Sequence, residues 1–151
     1  MKPIKFICIA AAVALAGCLT GNMLDKALIK AAEELNKNCP FMVDSETRLD
    51  NAMALPDKKL VYFYTMVNYV KDEIDVDVFA ESMTPTIINA VSTNTSMEFL
   101  RKQKVTFSYQ YKDKNGEFFW TLDVTPDMYE NHVPIPVFEE AAPAPDTTLT
   151  L

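Results

Sequence analysis

The sequence predicts an α+β domain in which about four antiparallel strands carry an N-terminal helix and a central helix, both packed on one face. The strands are expected as two hairpins, at residues 46–69 and 103–125. Three observations lead to this prediction. Apolar residues recur at helical spacing after residue 22, they do so again after an acidic run at 72–77, and both hairpin regions alternate around turn-forming residues.

The N-terminal helix is predicted from a stripe of apolar residues along one helical face. The residues of this stripe are Leu24, Ala27, Leu28, Ala31 and Leu35. Asn22 is a suitable N-cap. Because Pro40 restricts the residue before it to extended conformations, the helix is expected to end near residue 38.

The first hairpin is predicted around Pro56-Asp57-Lys58, since proline suits the second position of a turn. Before the turn, a weak alternation predicts which side chains share a side of the strand. It places Leu49, Met53 and Leu55 on one side, and Arg48 and Asp50 on the other. After the turn, "KLVYFYTMVNY" carries β-branched and aromatic residues on both faces, which indicates a central, buried strand.

The central helix is predicted after the acidic run from Asp72 to Asp77, whose charges suit the positive end of a helix dipole. The apolar residues at helical spacing are Val78, Phe79, Met83, Ile87, Ile88 and Val91. Pro85 lies within this stretch and cannot donate a helical hydrogen bond. We therefore expect a break or a kink near residues 82–84, and a break would leave two short helices.

The second hairpin, "KVTFSYQYKDKNGEFFWTLDVT", is the clearest element of the sequence. Asn115-Gly116 favours a two-residue turn, and centring the turn there sets Lys114 opposite Glu117. The apolar pairs on one face are then Tyr111 with Trp120, Tyr109 with Leu122, and Phe107 with Val124. A slip of one residue would turn all of them to the other face, so the register is well determined.

The first eighteen residues follow the order of a bacterial export signal. Lys2 and Lys5 precede an apolar run, Phe6–Ala16, which is too short to span a bilayer as a helix. The run ends in Leu15-Ala16-Gly17-Cys18, which resembles the lipobox of bacterial lipoproteins. The resemblance implies that diacylglycerol is attached to Cys18 and that the chain is cut before it.

Leu19 follows this cysteine, where an aspartate marks inner-membrane retention in many Gram-negative lipoproteins, so the outer membrane is favoured. The domain would then face the periplasm or the cell surface. The predicted organisation is a removed signal peptide at 1–17, a lipidated tether at 18–22, a single domain at 23–130, and a proline-rich, disordered tail at 131–151.

The charge of the chain limits its partners. Removal of the signal peptide takes away two lysines and no acidic residue, so the net charge changes from −7 to −9 and 134 residues remain. An acidic domain of this kind repels nucleic acid, and no nucleic-acid partner is expected. Two or three acyl chains, at ~0.8 kcal/mol per buried methylene, would anchor the protein to a membrane without a spanning helix.

Few residues offer catalytic or metal chemistry. After lipidation of Cys18, Cys39 is the only free thiol, and His132 is the single histidine, so neither a familiar zinc site nor a cofactor is expected. Cys39 is expected to be buried or to pair between molecules. One alternative is a hydrolase that uses Cys39 as nucleophile and His132 as base. Another is a carrier of a small apolar ligand, with a cavity lined by residues such as Phe107, Tyr109, Trp120 and Met83.

The sequence therefore favours a non-enzymatic binding or assembly module of the cell envelope, with a protein partner and a lipid anchor on Cys18. Two segments, "NCPFMVDSETRLD" and "TFSYQYKDKNGEF", resemble segments of small exported bacterial proteins of unknown function. This resemblance extends over residues 30–125 and implies a shared fold, with no activity attached to it.

Overall fold

The computed structural model describes residues 21–134. Its helices are α1 (Gly21–Asn36), α2 (Val76–Thr93), α3 (Glu98–Lys102) and α4 (Pro126–Glu130). Its strands are β1 (Phe41–Met42), β2 (Thr47–Leu55), β3 (Lys59–Met66), β4 (Thr106–Lys112) and β5 (Phe118–Val124). Two single 3-10 turns, Lys71–Glu73 and Thr95–Met97, flank α2. The predicted signal peptide, Cys18, and positions 135–151 of the predicted tail lie outside the described residues.

The sheet confirms the α+β class and differs from the prediction in two respects. It has five strands in the order β1-β2-β3-β4-β5, because the two-residue strand β1 pairs with β2. The two hairpins share this sheet through a parallel pairing of β3 with β4. A parallel pair needs a long crossover between its strands, and the segment that contains α2 and α3 provides it. The expectation that all the strands are antiparallel was therefore wrong for this pair.

The hydrophobic core lies on one face of the sheet, beneath the helices. The even-numbered residues of β3 and the odd-numbered residues of β4 point into it, and the largest of them are Tyr62, Tyr64, Phe107, Tyr109 and Tyr111. All four helices bury side chains in the same cluster, so the prediction of helices on one face is confirmed. Stacked or tilted ring pairs such as these add about 0.5–1.5 kcal/mol each beyond the area that they bury.

Helix α1 follows the predicted stripe closely. Leu24, Leu28 and Leu35 are buried against the sheet, and α1 packs on β2. The described part of the helix already includes Gly21, inside the range predicted for the tether, and the helix ends at Asn36, two residues before the predicted end. An amphipathic face therefore fixes α1 more firmly than its termini, which carry weaker signals.

Helix α2 runs without interruption from Val76 to Thr93, so of the two expected outcomes a division into two short helices was wrong. Asp75 caps its first turn by accepting a hydrogen bond from the backbone N–H of Val78 at 3.1 Å. Pro85 lies on an exposed part of the helix, as does Glu81, whose carbonyl lacks its usual helical donor. That carbonyl can be hydrated, and packing of the buried face holds the helix together.

Strand β2 carries a β-bulge between Leu49 and Asn51. The bulge adds one residue, Asp50, and so reverses the faces of everything that follows. Leu49 remains in the core, whereas Met53 and Leu55 lie on the opposite face and are exposed. The predicted grouping of these three residues on one side was therefore wrong.

The β4–β5 hairpin has the predicted pairs of Tyr111 with Trp120, Tyr109 with Leu122, and Phe107 with Val124. The turn itself is wider than predicted, since Lys112 pairs with Phe118 and Lys114 has no strand partner at Glu117. A bulge after Tyr111 absorbs the difference, so the predicted register holds through the rest of the hairpin.

The wider turn has a physical cause in the buried side chain of Asp113. Its carboxylate accepts hydrogen bonds from the backbone N–H groups of Asn115 and Glu117, both at 2.8 Å. Gly116 alone in this turn has a positive φ, +88°, whereas a tight type I′ turn requires it at both central residues. The side-chain bonds of Asp113 thus favour the longer loop.

Candidate binding surface on the open face of the sheet

The second face of the sheet carries the odd-numbered residues of β3 and the even-numbered residues of β4, and we call it the open face. Among the described residues no helix packs on it, because the buried side chains of all four helices belong to the core on the other side. Val61 and Ser108 lie near its centre and are fully covered by their neighbours. The open face is therefore a flat surface of packed side chains.

Large apolar side chains are concentrated on this face. Of the eight large hydrophobic residues exposed within 21–134, four belong to it: Met42 (47% exposed), Met53 (46%), Leu55 (38%) and Phe118 (52%). Phe63 lies between them and is half-buried. Apolar groups that are gathered on one flat surface, with charged groups among them, are typical of a protein interaction site.

The first charged group on the open face is centred on Asp50, the residue of the bulge. Its carboxylate accepts hydrogen bonds from Thr65 Oγ1 and Arg48 Nε, each at 2.6 Å, and Lys112 Nζ lies 3.6 Å away. Burial raises the pKa of Asp50, but these hydrogen bonds and cations lower it by more, so the pKa lies below its ordinary value. Asp50 is therefore charged and already fully engaged at neutral pH.

A second charged group lies at the other end of the open face. Asp123 accepts a hydrogen bond from Ser108 Oγ at 2.5 Å and forms an ion pair with Lys59 at 2.7 Å. Burial raises the pKa of Asp123, and the bonds to Lys59 and Ser108 lower it further than burial raises it. Both acidic residues of this face are thus paired with basic residues: Asp50 with Arg48 of the same strand and Lys112 of β4, and Asp123 with Lys59 of β3.

The open face has an unusual charge for this protein. Its outward strand residues include three cations, Arg48, Lys59 and Lys112, and two carboxylates, which gives a local charge of +1 on a chain of net charge −7. Lys112 Nζ also lies 5.7 Å from the ring centroid of Phe118, in a cation–π arrangement that joins the basic and apolar parts.

The structure does not bring Cys39 and His132 together. Cys39 precedes β1 at one edge of the sheet, whereas His132 Nε2 lies 3.1 Å from Asn89 Oδ1 of α2, which packs on β5 at the other edge. Four strand spacings, or about 19 Å, separate these edges. Burial and the charge of Asp50 both raise the pKa of the Cys39 thiol, whereas a nucleophilic cysteine needs a lowered pKa. The proposed thiol–imidazole pair is therefore not formed.

The residues predicted to line a ligand cavity belong to the hydrophobic core or pack against it. Phe107 and Tyr109 are buried, Trp120 packs edge-on against Phe79 at 5.2 Å, and Tyr109 contacts the rings of both Tyr62 and Tyr64. Their side chains occupy the space between sheet and helices. Cys18, the predicted lipidation site, lies outside the described residues.

Within 21–134, no cluster of three or more histidine, cysteine, aspartate or glutamate side chains is arranged to hold a metal ion. None of the helices in that range is both long enough and apolar enough to cross a membrane.

Sequence reasoning missed the open face because the bulge at Asp50 is invisible in the alternation of β2. One signal was present in the sequence. The small residues Ala52 and Ala54 alternate with the larger residues Met53 and Leu55. A helix that packs closely on a strand favours small residues beneath it, and Ala52 does lie under α1 in the core.

Comparison with solved structures shows which proteins share this fold. A Pseudomonas aeruginosa protein thought to be secreted, with a crystal structure at 1.60 Å resolution, has a TM-score of 0.63 and 15% sequence identity. The match covers 75% of this chain and 98% of that one.

Two pilotins of type II secretion systems also match. EpsS from Vibrio vulnificus has a TM-score of 0.54 and 10% identity, and AspS from Vibrio cholerae has 0.57 and 11%. Each match covers 72% of this chain and 94% of the pilotin. At these identities the likeness establishes a common fold.

Sequence comparison gives the family. No curated protein matches the chain. The model of the family described as "Domain of unknown function (DUF8479)" matches residues 22–119, which include α1 and nearly all of the sheet. This chain belongs to the DUF8479 family.

Proposed function

We propose that this protein is a non-enzymatic assembly module of the bacterial cell envelope, held on a membrane by lipid on Cys18, and that it acts by binding an envelope protein. The observation that carries the proposal is the fold, which this chain shares with two type II secretion pilotins over 94% of their length. A pilotin serves a secretion system, and this chain would serve an envelope complex in a comparable way.

The lipid anchor is supported by the order of residues before the domain. The sequence Leu15-Ala16-Gly17-Cys18 resembles a lipobox, and Gly21, the first described residue of α1, lies three residues after Cys18. A chain extends by at most about 3.5 Å per residue, so the start of α1 would lie within about 10 Å of the anchored residue. The domain would therefore stay close to the membrane surface, and Leu19 favours the outer membrane.

A binding role is supported by the distribution of side chains. The Cys39 thiol has a raised pKa and His132 contacts α2, which argues against the hydrolase alternative. The open face, by contrast, exposes apolar side chains on a rigid sheet, a suitable scaffold for contact with another protein.

The anchor is tested by replacing residues 1–17 with an ordinary secretory signal and introducing Cys18→Ser, followed by fractionation of the cells. We expect the wild type in the outer-membrane fraction and the variant in the soluble periplasmic fraction. Cys39→Ser is the matched control and should remain with the membrane. A Cys18→Ser protein that still sediments with membranes would overturn the lipid anchor.

The assembly role is tested by chemical crosslinking in living cells and purification of the full chain in detergent. We expect a covalent adduct with one envelope protein, at a constant ratio between preparations. If the chain is recovered only as an uncrosslinked monomer under conditions that crosslink a known envelope complex, the assembly role is wrong.

A further inference from the structure

We infer that the open face binds a polypeptide segment of the partner that presents apolar side chains with carboxylates near both ends. This inference rests on the proposed assembly function and adds the surface and the chemistry of the partner. It follows from three properties of the face: its exposed apolar residues, its local charge, and the spacing of its cations.

The apolar component is placed where a partner can cover it. Met53 and Leu55 continue β2 beyond the bulge, and Phe118 lies at the other edge of the sheet. Between them lies Phe63, which is half-buried, and no described helix packs on this side of the sheet. Covering these side chains would remove apolar surface from water at about 25 cal/mol per Å², so the face favours an apolar partner.

The charge of the face selects the sign of the partner's charged groups. Asp50 already accepts three contacts and its side chain is only 17% exposed, and Asp123 accepts two, so both carboxylates are already paired on this face. Arg48, Lys59 and Lys112 remain partly exposed and can accept a second anion. Because the remainder of the chain is acidic, carboxylates of a partner are attracted here and repelled elsewhere.

The positions of the cations set the length of the segment. Arg48, Thr65 and Lys112 are partners in register on β2, β3 and β4, so the two cations mark one end of the face. Lys59 lies six residues before Thr65 on β3, at the other end. At about 3.3 Å per residue the two ends are roughly 20 Å apart. A partner segment of that length, either about seven extended residues or about 14 helical ones, would place a carboxylate at each end.

A second copy of this chain fits less well. Two copies would bring together net charges of −7 each, and each would offer the other an open face with the same excess of cations. A polypeptide with acidic residues around an apolar centre matches both the sign and the spacing.

The test uses the full-length protein in its own cells, with a photo-crosslinking amino acid placed at Thr121 or Gln110, two outward positions of the open face. The matched control carries the same amino acid at Glu81, an exposed position on α2. We expect crosslinks from the open face to one protein other than this chain, through a peptide in which acidic residues flank apolar ones.

Charge and apolar variants then test the chemistry. We expect Lys59→Glu with Lys112→Glu to lower the crosslinking yield at least about fivefold, and Lys26→Glu on the exposed side of α1 to leave it unchanged. Phe118→Ser should also lower the yield, whereas Val78→Ser should not, because Val78 is also an exposed apolar residue but lies on α2. Thermal unfolding of each variant establishes that it remains folded.

Several outcomes would overturn the inference. They are crosslinks from the open face to lipid alone, to another copy of this chain, or to a basic segment, and the absence of any open-face crosslink. Crosslinks from Glu81 alone would also overturn it, while leaving the assembly function in place, because the partner would then bind the helical side. If the double charge reversal binds as well as the wild type, the proposed complementarity is wrong.

Discussion

The side-chain amide of Asn36, the last residue of α1, forms two hydrogen bonds with the backbone of Ala52 in β2. Asn36 Nδ2 donates to the carbonyl of Ala52 at 2.8 Å, and the N–H of Ala52 donates to Asn36 Oδ1 at 2.7 Å. The two hydrogen bonds have the pattern that a neighbouring strand would form with Ala52. Strand β1 does not supply them, because its two residues pair with β2 only at Arg48 and Leu49. One side chain thus both docks the end of α1 and satisfies an edge residue.

Asn36→Ala should therefore lower the free energy of unfolding by about 1–3 kcal/mol, because two backbone groups of Ala52 would lose their partners. Asn36→Asp keeps the acceptor and loses the donor, so it should also destabilise the protein. Asn38→Ala, at an exposed position just after the helix, is the control. Urea unfolding measures all three, and equal stabilities for Asn36→Ala and Asn38→Ala would contradict the role of the amide.

Asp113 predicts a specific pH dependence of stability. Its side chain is only 1% exposed and accepts hydrogen bonds from the turn and from the backbone N–H of Lys71 at 3.0 Å. Burial raises the pKa of Asp113, but the backbone donors at Glu117, Lys71 and Asn115 lower it by more, so the folded-state pKa is depressed. A depressed pKa stabilises the fold above the unfolded value, about 3.9, and this contribution is lost as the pH falls through the folded value.

We accordingly expect Asp113→Asn to be less stable than the wild type at pH 7, with a difference that shrinks as the pH falls below about 4. Urea midpoints measured from pH 3 to pH 7 for both proteins give this difference directly. Asp50 and Asp123 also titrate with lowered pKa values, but their contribution cancels in the comparison. A difference that is independent of pH would show that the charge of Asp113 is not what stabilises the loop.

The second hairpin shows what could be predicted from the sequence. Alternating large apolar residues determine which side of a strand faces the core, and this constraint placed Tyr111 opposite Trp120 even though the turn was wrong. The pairing of β3 with β4 could not be predicted in this way. Their contact joins residues more than 40 positions apart, and no local pattern specifies which strands of separate hairpins become neighbours.

The candidate surface was hidden from the sequence for a related reason. A single extra residue, Asp50, reverses which of the later residues of β2 face the core. Its effect depends on hydrogen bonds from Thr65 and Arg48, which form only after folding. Sequence reasoning instead considered Cys39 with His132, the two rarest reactive residues of the predicted mature chain. Rarity says nothing about proximity, and the fold places them near different edges of the sheet.

Tyr111 offers a test of core packing. Its ring stacks on Tyr64 at 5.0 Å and is fully buried, yet its hydroxyl has no hydrogen-bond partner among the described residues. Burial and the nearby charge of Asp44 raise the pKa of Tyr111 well above its ordinary value, so the hydroxyl is neutral and unsatisfied. An unsatisfied buried hydroxyl costs about 1–3 kcal/mol.

Tyr111→Phe should therefore stabilise the protein by about 1 kcal/mol, since the ring contacts are kept and the unpaired group is removed. Tyr129→Phe is the matched control, because its hydroxyl lies 3.1 Å from the carbonyl of Val105 and donates to it. That substitution should destabilise the protein by about 1 kcal/mol. Calorimetric melting of the two variants distinguishes the cases, and a destabilised Tyr111→Phe would mean that the hydroxyl is satisfied in solution.

The end of α3 supplies a stabilising substitution that does not involve the core. Lys104 has φ of +58°, and its N–H donates to the carbonyl of Arg101 while the N–H of Val105 donates to that of Leu100. These two bonds, with Val105 and Leu100 both buried, form a Schellman motif, which glycine usually completes at the position that Lys104 occupies. A lysine there bears the steric cost of the left-handed conformation.

Lys104→Gly should raise the free energy of unfolding by about 0.5–1 kcal/mol, because glycine adopts a positive φ without that cost. The ion pair of Lys104 with Glu130 is lost in this variant, but exposed pairs contribute little, and Lys104→Ala, which loses the same pair and keeps a Cβ, isolates the backbone effect. Lys102→Gly, inside α3, should instead destabilise by up to about 1 kcal/mol. Urea unfolding that ranked Lys104→Gly below Lys104→Ala would show that the left-handed backbone at residue 104 carries no strain in solution.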